Sequence, residues 1–298
     1  MEIMKAFVIA EHADAASALA AGARTLADEV AVAIIGAEDV PAGIADAAYH
    51  VAVPEGAIAD DAYLTLAPVV EGADIVIAEP TRHVKSVVGR LAAAAGASVI
   101  TDALAIEDGV VSEMYFGGIG QIKRQAETAC AFYTAGPGAF GDAQPSGGNG
   151  AAEELAWVAP ENAVKLVSSA PVEKSGVDLT QSDVVVAAGR GFAEEGDLDL
   201  ARELCDKIGA GLGCSRPLAE GVNWMPVETY IGVSGLMLTP KVYVGVGISG
   251  QMQHMVGVKS ADVVFAINKD KNAPIFKQCD YGLVGDLKTV LPALNAAL

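Results

Sequence analysis

The sequence predicts an α/β protein of two domains, with an N-terminal Rossmann-like mixed sheet and a C-terminal doubly wound parallel sheet. Short continuous apolar strands alternate with amphipathic helices along the 298 residues, a pattern typical of parallel sheets covered on both faces. A chain of this length accommodates two domains of ordinary size. The stretch Lys241–Asp286 contains an apolar strand, a glycine-rich turn, a helix and a second strand. This order is the sequence form of a dinucleotide-binding βαβ unit.

The first half is expected to alternate strands and helices. Val110–Tyr115 and Thr128–Ala135 have the pattern of longer strands around a Gly117-Gly118 break, which predicts a mixed or antiparallel extension of the sheet. The other predicted strands are Lys5–Ala10, Val30–Gly36, Ala48–Val53, Asp74–Ala78 and Ser98–Asp102, and the predicted helices are Asp14–Glu29, Asp60–Glu71 and Ser86–Gly96.

The two halves are joined by a long segment with little periodicity. Pro137–Ala152 is rich in glycine and proline and predicts a loop. A strand near Asn162–Ser169 is expected to return to the first domain. The polar segment Pro171–Leu179 places the boundary, giving domains 1–171 and 172–298, and it is the candidate hinge.

The second half restarts the alternation. Asp197 is expected to cap a helix that ends before Gly209. Asp270 lies where a dinucleotide fingerprint expects an acid, although the glycine motif fits a tight strand–helix corner equally well. The predicted strands are Ser182–Ala188, Gly211–Ser215, Tyr230–Val233, Val242–Ile248 and Asp262–Ile267, and the predicted helices are Asp197–Ile208, Gln251–Gly257 and Leu287–Leu298.

Composition excludes several classes of partner. The net charge of −19 disfavours nucleic acid and anionic membrane surfaces, because their phosphates need clustered Lys and Arg. The apolar runs are shorter than the roughly 20 residues of a membrane span, and the N-terminus lacks the basic segment and cleavage site of a signal peptide. The four cysteines lack C-x-x-C spacing, so zinc and iron–sulfur sites are not expected. A reducing, cytoplasmic setting is expected.

Polar side chains follow the predicted strands of the second half. Because the carboxyl ends of parallel strands share one edge of a sheet, these groups are expected to converge there. No nucleophile elbow, zinc-protease motif or phosphate-binding P-loop is present, and no group stands out as an acid, base or nucleophile. The second half therefore resembles a cofactor-holding domain without a substrate site. Its strand-end polar residues are Arg190, Ser215, Arg216, Ser234, Ser249, Gln253, His254, Asn268 and Asp286.

Each of these residues has a structural and a functional interpretation. Arg216 is either a surface arginine or a fixed cation above an aromatic cofactor or beside its phosphate. His254 is either a packed helix residue or a hydrogen-bond donor to the O2 carbonyl of a flavin. Ser249 caps a helix or contacts a phosphate. Asn268 and Asp286 are turn or cap residues, or they contact ribose or adenine.

With these residues in place, the second half resembles the α subunit of electron transfer flavoproteins. The matching motifs occur in the family's order and spacing over residues 183–292, and the likeness continues more weakly through the first half. The motifs CSRP, NWMP and SGLML look most like the Fix-type branch, found with anaerobic acyl-CoA metabolism and nitrogen fixation. The matching segments are Gly189-Arg190-Gly191, Cys214-Ser215-Arg216-Pro217, Val246-Gly247-Ile248-Ser249-Gly250 with Gln253-His254, Ala266-Ile267-Asn268-Lys269-Asp270, Ala273-Pro274-Ile275-Phe276 and Asp280-Tyr281-Gly282.

The resemblance implies that FAD lies mainly on the second domain, extended along the strand ends. Three residues would tune the flavin, with Arg216 over the isoalloxazine, Ser234 near N5 and His254 at O2. The remaining positions would contact the pyrophosphate, ribityl and adenosine groups. The cofactor-binding residues implied are Gly189, Arg190, Gly191, Ser215, Arg216, Val233, Ser234, Gly235, Gly247, Ser249, Gly250, Gln253, His254, Asn268 and Asp286.

One loop departs from the family pattern. Many members have Gly-Gln-Thr-Gly-Lys where this chain has Gly232-Val233-Ser234-Gly235-Leu236. Val233 lacks an amide side chain and Leu236 lacks a cation. The flavin potential is therefore expected to differ from that of the common type.

The resemblance also implies a partner and a function. The first domain would contact a β subunit holding AMP or a second FAD. The heterodimer would carry electrons between an acyl-CoA dehydrogenase-type flavoprotein and a second redox partner, without substrate chemistry of its own. One alternative is an electron-bifurcating complex that oxidises NADH with two FAD per heterodimer. Alternatives of another class are a stand-alone NAD(P)-dependent oxidoreductase and a non-redox nucleotide-binding module.

Overall fold

The chain folds into two compact units. The computed structural model describes residues 3–118, 120–141, 143, 147–148, 150–170 and 178–298. The N-terminal unit holds the described residues up to 116 and from 120 to 170, and the C-terminal unit holds residues 117–118 and 178–298. The proposed domain boundary and most of the candidate hinge lie at residues 171–177, outside the described residues.

The N-terminal unit is built on a mixed sheet of nine strands among the described residues, in the order β7-β6-β5-β8-β4-β1-β2-β3-β9. Strand β6 pairs antiparallel with β5 and β7, and every other neighbouring pair is parallel. The predicted mixed sheet is therefore confirmed. The strands are β1 (Lys5–Ala10), β2 (Glu29–Ile35), β3 (Ala47–Val51), β4 (Ile75–Ala78), β5 (Ser98–Glu107), β6 (Val110–Tyr115), β7 (Gly120–Gln125), β8 (Ala131–Ala135) and β9 (Ala152–Glu154).

Three helices cover the two faces of this sheet. Helix α1 (Ala13–Ala23) packs small apolar side chains on one face, and α2 (Tyr63–Val70) and α3 (Arg82–Ala95) pack on the other. Helix α3 begins where the Thr81 side chain accepts a hydrogen bond from the Val84 amide, and it ends at a left-handed residue, Gly96. Alternate residues of β1 supply both cores, as a strand buried on both faces requires.

The prediction of a strand near Asn162–Ser169 is wrong. The strand that returns to the sheet is β9, which pairs with β3, and it was missed because its three exposed residues, Ala-Glu-Glu, follow the predicted loop without an apolar pattern. The later segment and the residues before it are held by hydrogen bonds to other parts of the unit, among them one from the Leu166 amide to the Gly56 carbonyl at 2.9 Å. The amide of Val158 donates to the Thr65 hydroxyl at 2.9 Å and that of Val164 to the Asp61 carboxylate at 3.1 Å.

The C-terminal unit contains an all-parallel sheet of five strands among the described residues, in the order β11-β10-β12-β13-β14. Numbered within the unit this order is 2-1-3-4-5, a doubly wound order whose direction reverses between β10 and β12. The predicted fold class is therefore confirmed. The strands are β10 (Val184–Ala188), β11 (Gly211–Cys214), β12 (Val242–Val246), β13 (Val263–Asn268) and β14 (Tyr281–Val284).

Helices α4 (Leu198–Ile208) and α6 (Leu287–Ala297) pack on one face of this sheet, and α5 (Met252–Met255) packs on the other. Helix α4 ends at Gly209 with φ +65°, as predicted. The predicted helix Gln251–Gly257 is only the four residues of α5 followed by a 3-10 turn, Val256–Val258. The turn lies so close to the neighbouring loop that a Cβ on Gly257 would approach the Gly232 nitrogen to 2.6 Å, so glycine is required at this contact.

Two further expectations differ from the structure of this unit. Tyr230–Val233 is not a strand, because it makes only isolated bridges, from Tyr230 to Cys214 and from Ile231 to Leu236. Strand β14 was not predicted. It is an edge strand of four exposed residues, and its short sequence, YGLV, is interrupted by Gly282.

Candidate functional site

A cavity of about 700 Å³ opens at the carboxyl ends of β10, β11 and β12. It lies at the reversal point of the strand order, where doubly wound sheets bind ligands, and its size is typical of a small-molecule site. Its lining mixes cations, hydroxyls, an imidazole and backbone groups. The lining residues are Arg190, Ser215, Arg216, Pro217, Glu220, Gly221, Tyr230, Ile231, Gly232, Val233, Ser234, Gly247, Ile248, Ser249, Gln251, Gln253 and His254.

The structure brings most of the sequence-predicted site residues to this cavity. Gly191, Asn268 and Asp286 instead border a second cavity of about 40 Å³, and Gly247 borders both cavities. The two cavities are therefore neighbours along the strand-end edge. Gly189, Gly235 and Gly250 border neither cavity. The predicted residues in the larger cavity are Arg190, Ser215, Arg216, Val233, Ser234, Gly247, Ser249, Gln253 and His254.

The glycines at the reversal point allow two loops to touch. A Cβ on Gly189 would lie 2.2 Å from the Gly247 carbonyl oxygen, and one on Gly191 would lie 2.6 Å from the Gly247 Cα. The Gly191 amide donates to the Gly247 carbonyl at 3.0 Å, and Gly247 itself has φ +64°. The glycine motif thus first serves backbone packing between the loops after β10 and β12. That packing places the flanking polar residues at one edge.

Two arginines give the cavity local positive charge in a chain of net charge −19. Arg216 lies just after β11, and its Nε donates to the Glu220 carboxylate at 2.5 Å. Glu220 belongs to a π-helical turn, Pro217–Gly221, and the pair raises the pKa of Arg216. Arg190 makes no ion pair within the described part of the chain. An anionic ligand therefore finds two guanidinium groups at this cavity, of which that of Arg216 is paired with Glu220 in the same lining.

Two buried polar atoms of the cavity have no hydrogen-bond partner in the described structure. They are the Ser215 hydroxyl oxygen and Nδ1 of His254. Buried polar groups are almost always paired, and leaving one unpaired costs about 1–3 kcal/mol. Both residues line the same cavity. The two atoms are themselves solvent-inaccessible, although their residues line the cavity.

The imidazole of His254 is neutral near neutral pH. It is 8% exposed, and burial lowers its pKa to about 4 against a smaller opposite effect of the Ile231 carbonyl. Its Nε2 lies 2.7 Å from the Tyr243 hydroxyl. Burial also raises the pKa of the Tyr243 phenol. The pair is therefore an uncharged hydrogen-bonding unit beside the cavity.

The loop that departs from the family pattern is held rigidly. The Tyr230 hydroxyl donates to the Ser234 carbonyl, and the Val233 amide donates to the Gln253 carbonyl at 2.8 Å. A Cβ on Gly235 would lie 2.4 Å from the Tyr230 carbonyl oxygen, so only glycine fits there. Val233 is 52% exposed, and it gives this part of the cavity an apolar surface.

The residues expected near adenosine already have structural contacts. The Asn268 amide donates to the Ile248 carbonyl at 2.8 Å, and the Asp286 carboxylate caps α6 by accepting from the Lys288 amide at 2.8 Å. Asp270 stands at the position where the dinucleotide fingerprint predicts an acid. Its carboxylate accepts a hydrogen bond from the Asn272 amide within a turn, and it borders neither cavity. Asn268 and Asp286 thus order the edge of the second cavity.

Several lining residues were not predicted. Tyr230, Ile231 and Ile248 lie in the cavity because the loops after β11 and β12 meet there, and an apolar residue in a loop gives no sequence signal for a site. One feature of the sequence could have predicted that Glu220 belongs to the site. It follows Arg216 by four residues, and the turn between them brings the two charges together. In the described residues, no cluster of His, Cys, Asp or Glu has metal-binding geometry.

Comparison with known proteins identifies the family. Residues 178–259 match the electron transfer flavoprotein FAD-binding domain. The chain is 39% identical over 289 residues to Protein FixB of Escherichia coli O7:K1 and of Shigella dysenteriae serotype 1, covering 93% of this chain and 92% of each relative. A solved structure described as a thiamin diphosphate-dependent enzyme of Mycobacterium smegmatis overlaps with a TM-score of 0.26 and 14% identity, over 96% of this chain and 54% of that one, and supports no argument.

The fold and the site define an FAD-binding unit of the electron transfer flavoprotein type. The chain belongs to the electron transfer flavoprotein α-subunit family, together with FixB. The predicted family and the predicted α-subunit function are thereby confirmed. Membership implies FAD binding by this chain and a β-subunit partner. None of the helices in the described ranges is both long enough and apolar enough to cross a bilayer.

Proposed function

We propose that FAD occupies the 700 Å³ cavity and extends along the strand-end edge toward the smaller cavity. With its β subunit, the chain would then carry electrons between an acyl-CoA dehydrogenase-type flavoprotein and a second redox partner. The observation that carries the proposal is the cavity at the reversal point of the strand order, with the guanidinium groups of Arg190 and Arg216 in its lining. An extended anionic cofactor fits both the position of the cavity and its cations.

The residues of the larger cavity suit the flavin and phosphate parts of FAD. Arg216, Ser234 and His254 would face the isoalloxazine, and Ser249 and Gln253 would contact the ribityl and pyrophosphate groups. All five residues line the cavity. Arg190, at the same cavity, is a further cation for the phosphates.

The adenosine part would lie along the edge marked by the smaller cavity, which at about 40 Å³ is too small to enclose it. Gly191 and Gly247 form a backbone floor without Cβ atoms, and Asn268 and Asp286 border it. Each of these two polar side chains keeps hydrogen-bonding capacity beyond its structural contact, because an amide offers two N–H groups and a carboxylate two oxygens.

FAD, when bound, supplies reversible acceptance and release of electrons. The protein residues supply electrostatics. A guanidinium at Arg216 favours negative charge on a nearby ring, and neutral His254 offers a hydrogen bond without adding charge. No described residue of the cavity is arranged as a nucleophile with an adjacent base. The site therefore fits an electron carrier without substrate chemistry of its own.

The setting of the protein is proposed to be the cytoplasm. The four cysteines are free, and burial raises the pKa of Cys205 to about 12 and that of Cys214 to about 11. Free, unreactive thiols fit a reducing compartment.

The division into domains 1–171 and 172–298, with a hinge at 171–179, also remains a proposal. Electron shuttling needs the flavin to approach two partners in turn, which movement about this connection would permit. A cross-link that locks the connection is expected to retain FAD and abolish transfer. Unchanged transfer in the locked protein would refute the hinge.

Cofactor analysis of the chain co-expressed with its β subunit tests the proposed function. One FAD and one AMP per heterodimer would support a simple carrier, and two FAD without AMP would instead establish the bifurcating alternative. A complex without flavin would refute the assignment.

The site itself is tested by Arg216→Ala, for which we expect FAD affinity to fall about tenfold to a hundredfold. Arg202→Ala is the control, because Arg202 is an exposed arginine on α4 paired only with Asp199 among the described residues. Equal affinities of the two variants would show that the cofactor does not contact Arg216.

A further inference from the structure

Tyr243 is a buried tyrosine with a single polar contact. It lies on β12, is 0% exposed and belongs to an apolar cluster of the C-terminal unit. Within the described residues its hydroxyl has one hydrogen-bond partner, Nε2 of His254 at 2.7 Å. Tyr243 does not line the larger cavity, whereas His254 does. It therefore touches the site only through the histidine.

The position of this hydroxyl is built into the strand. Residues 243 and 245 of β12 point to the same face of the sheet. A Cβ on Gly245 would lie 3.1 Å from Cε1 and 3.3 Å from the hydroxyl oxygen of Tyr243, and 2.9 Å from Cδ1 of Ile275. The glycine thus leaves space for the phenol. The strand contains Tyr243-Val244-Gly245, and His254 lies nine residues after the glycine. This arrangement creates the contact between Tyr243 and His254.

The proton count of the pair selects one tautomer of the imidazole. A neutral imidazole has one N–H and one acceptor nitrogen. If Nε2 carried the proton and donated it, the phenolic O–H would have no acceptor in its apolar cluster. If the Tyr243 hydroxyl donates to Nε2, both groups are satisfied. The proton of His254 then resides on Nδ1, the nitrogen that has no partner in the described structure.

We propose that Tyr243 is a positioning residue that acts through His254. Its hydroxyl fixes the orientation and tautomer of the neutral imidazole, so that Nδ1 carries the proton and is the donor offered to any acceptor that reaches this buried atom. The consequence for the cofactor rests on the proposed function, in which that acceptor belongs to FAD. The tautomer itself does not depend on it.

Nitrogen-15 spectra of the histidine-labelled heterodimer test the proposal. The chain has four histidines, and the His254→Gln variant identifies the signals of His254. In the unmodified protein we expect a neutral imidazole with the proton on Nδ1. In Tyr243→Phe, which keeps the ring and removes the hydroxyl, the preference for this tautomer is expected to fall about threefold to tenfold. Tyr133→Phe is the matched control, because Tyr133 is a tyrosine of the N-terminal unit with only 3% exposure.

The midpoint potential of bound FAD is the second measurement. Loss of the oriented donor is expected to lower it in Tyr243→Phe but not in Tyr133→Phe. A tenfold loss of preference for the reduced cofactor corresponds to about 30 mV for a two-electron couple. A proton on Nε2 in the unmodified protein, or identical His254 signals in Tyr243→Phe, would overturn the proposal. A complex that lacks flavin would refute the proposed function, and the His254 spectra would still decide the role of Tyr243.

Discussion

Acidification is expected to destabilise the C-terminal unit through His254. Its imidazole titrates near 6.5 when unfolded, whereas burial lowers the pKa to about 4 in the folded chain. Between these two values the unfolded state binds more protons than the folded state, so stability rises with pH. The contribution of His254 is complete above about pH 6.5, falls as the pH decreases and is lost near pH 4.

The magnitude follows from the two pKa values. From about pH 7 to about pH 5, protonation of the unfolded histidine lowers the free energy of unfolding by about 2 kcal/mol. His254→Gln cannot be protonated, and we expect it to remove this pH dependence. The two proteins should therefore differ in the slope of stability against pH, whatever their stabilities at neutral pH.

The assay is urea unfolding of the cofactor-free chain, monitored by tryptophan fluorescence at several pH values. The chain has two tryptophans, and Trp157→Phe leaves Trp224, which packs against the core of the C-terminal unit, as the reporter. Folding raises the pKa of His12, so its contribution to stability has the opposite sign and is lost as the pH rises. His12 lies in the N-terminal unit, whereas the Trp224 reporter lies in the C-terminal unit. Equal slopes with and without His254 between about pH 5 and pH 6.5 would refute the reasoning.

Two further predictions concern stability. Gly250→Ala is expected to lower the free energy of unfolding by about 1–3 kcal/mol, because Gly250 has φ +84° and a Cβ there would lie 2.2 Å from a backbone nitrogen. Chemical denaturation measures the effect, and Gly196→Ala, which meets open space, should change stability by less than about 0.5 kcal/mol. Asp61→Asn is expected to cost about 2 kcal/mol in the N-terminal unit, because this carboxylate is 2% exposed and accepts from Arg90 at 2.8 Å. Thermal melting compared with exposed Asp39→Asn measures the difference, and equal melting temperatures would contradict it.

Much of the architecture was predictable because strands buried on both faces have a strong local signal. Lys5–Ala10 was predicted with its observed bounds, and the end of α4 at Gly209 followed from the glycine after its last apolar turn. Elements without such a signal were missed or misplaced. The residues of β14 are exposed, and the segment near Asn162–Ser169 hydrogen-bonds to Asp61 and Gly56 and, within the described residues, not to a strand.

The sequence by itself determined which residue types stand at the strand ends. Arg190, Ser215 and Arg216 each follow an apolar strand directly, and in a parallel sheet such positions must share one edge. The glycines at 189, 191 and 247 were equally visible in the sequence. Their role in loop packing was not, because it depends on which two strands lie side by side.

Only the tertiary structure decided how these groups pair. The strand order places β10 beside β12, and that neighbourhood creates the cavity. The contact between Tyr243 and His254 joins a strand to a helix across eleven residues, and it leaves Nδ1 of the histidine unpartnered. Local propensities specify each element, whereas hydrogen-bond satisfaction and burial depend on all the elements together. For that reason the sequence revealed a cofactor site, and the fold revealed which of its atoms are available to the cofactor.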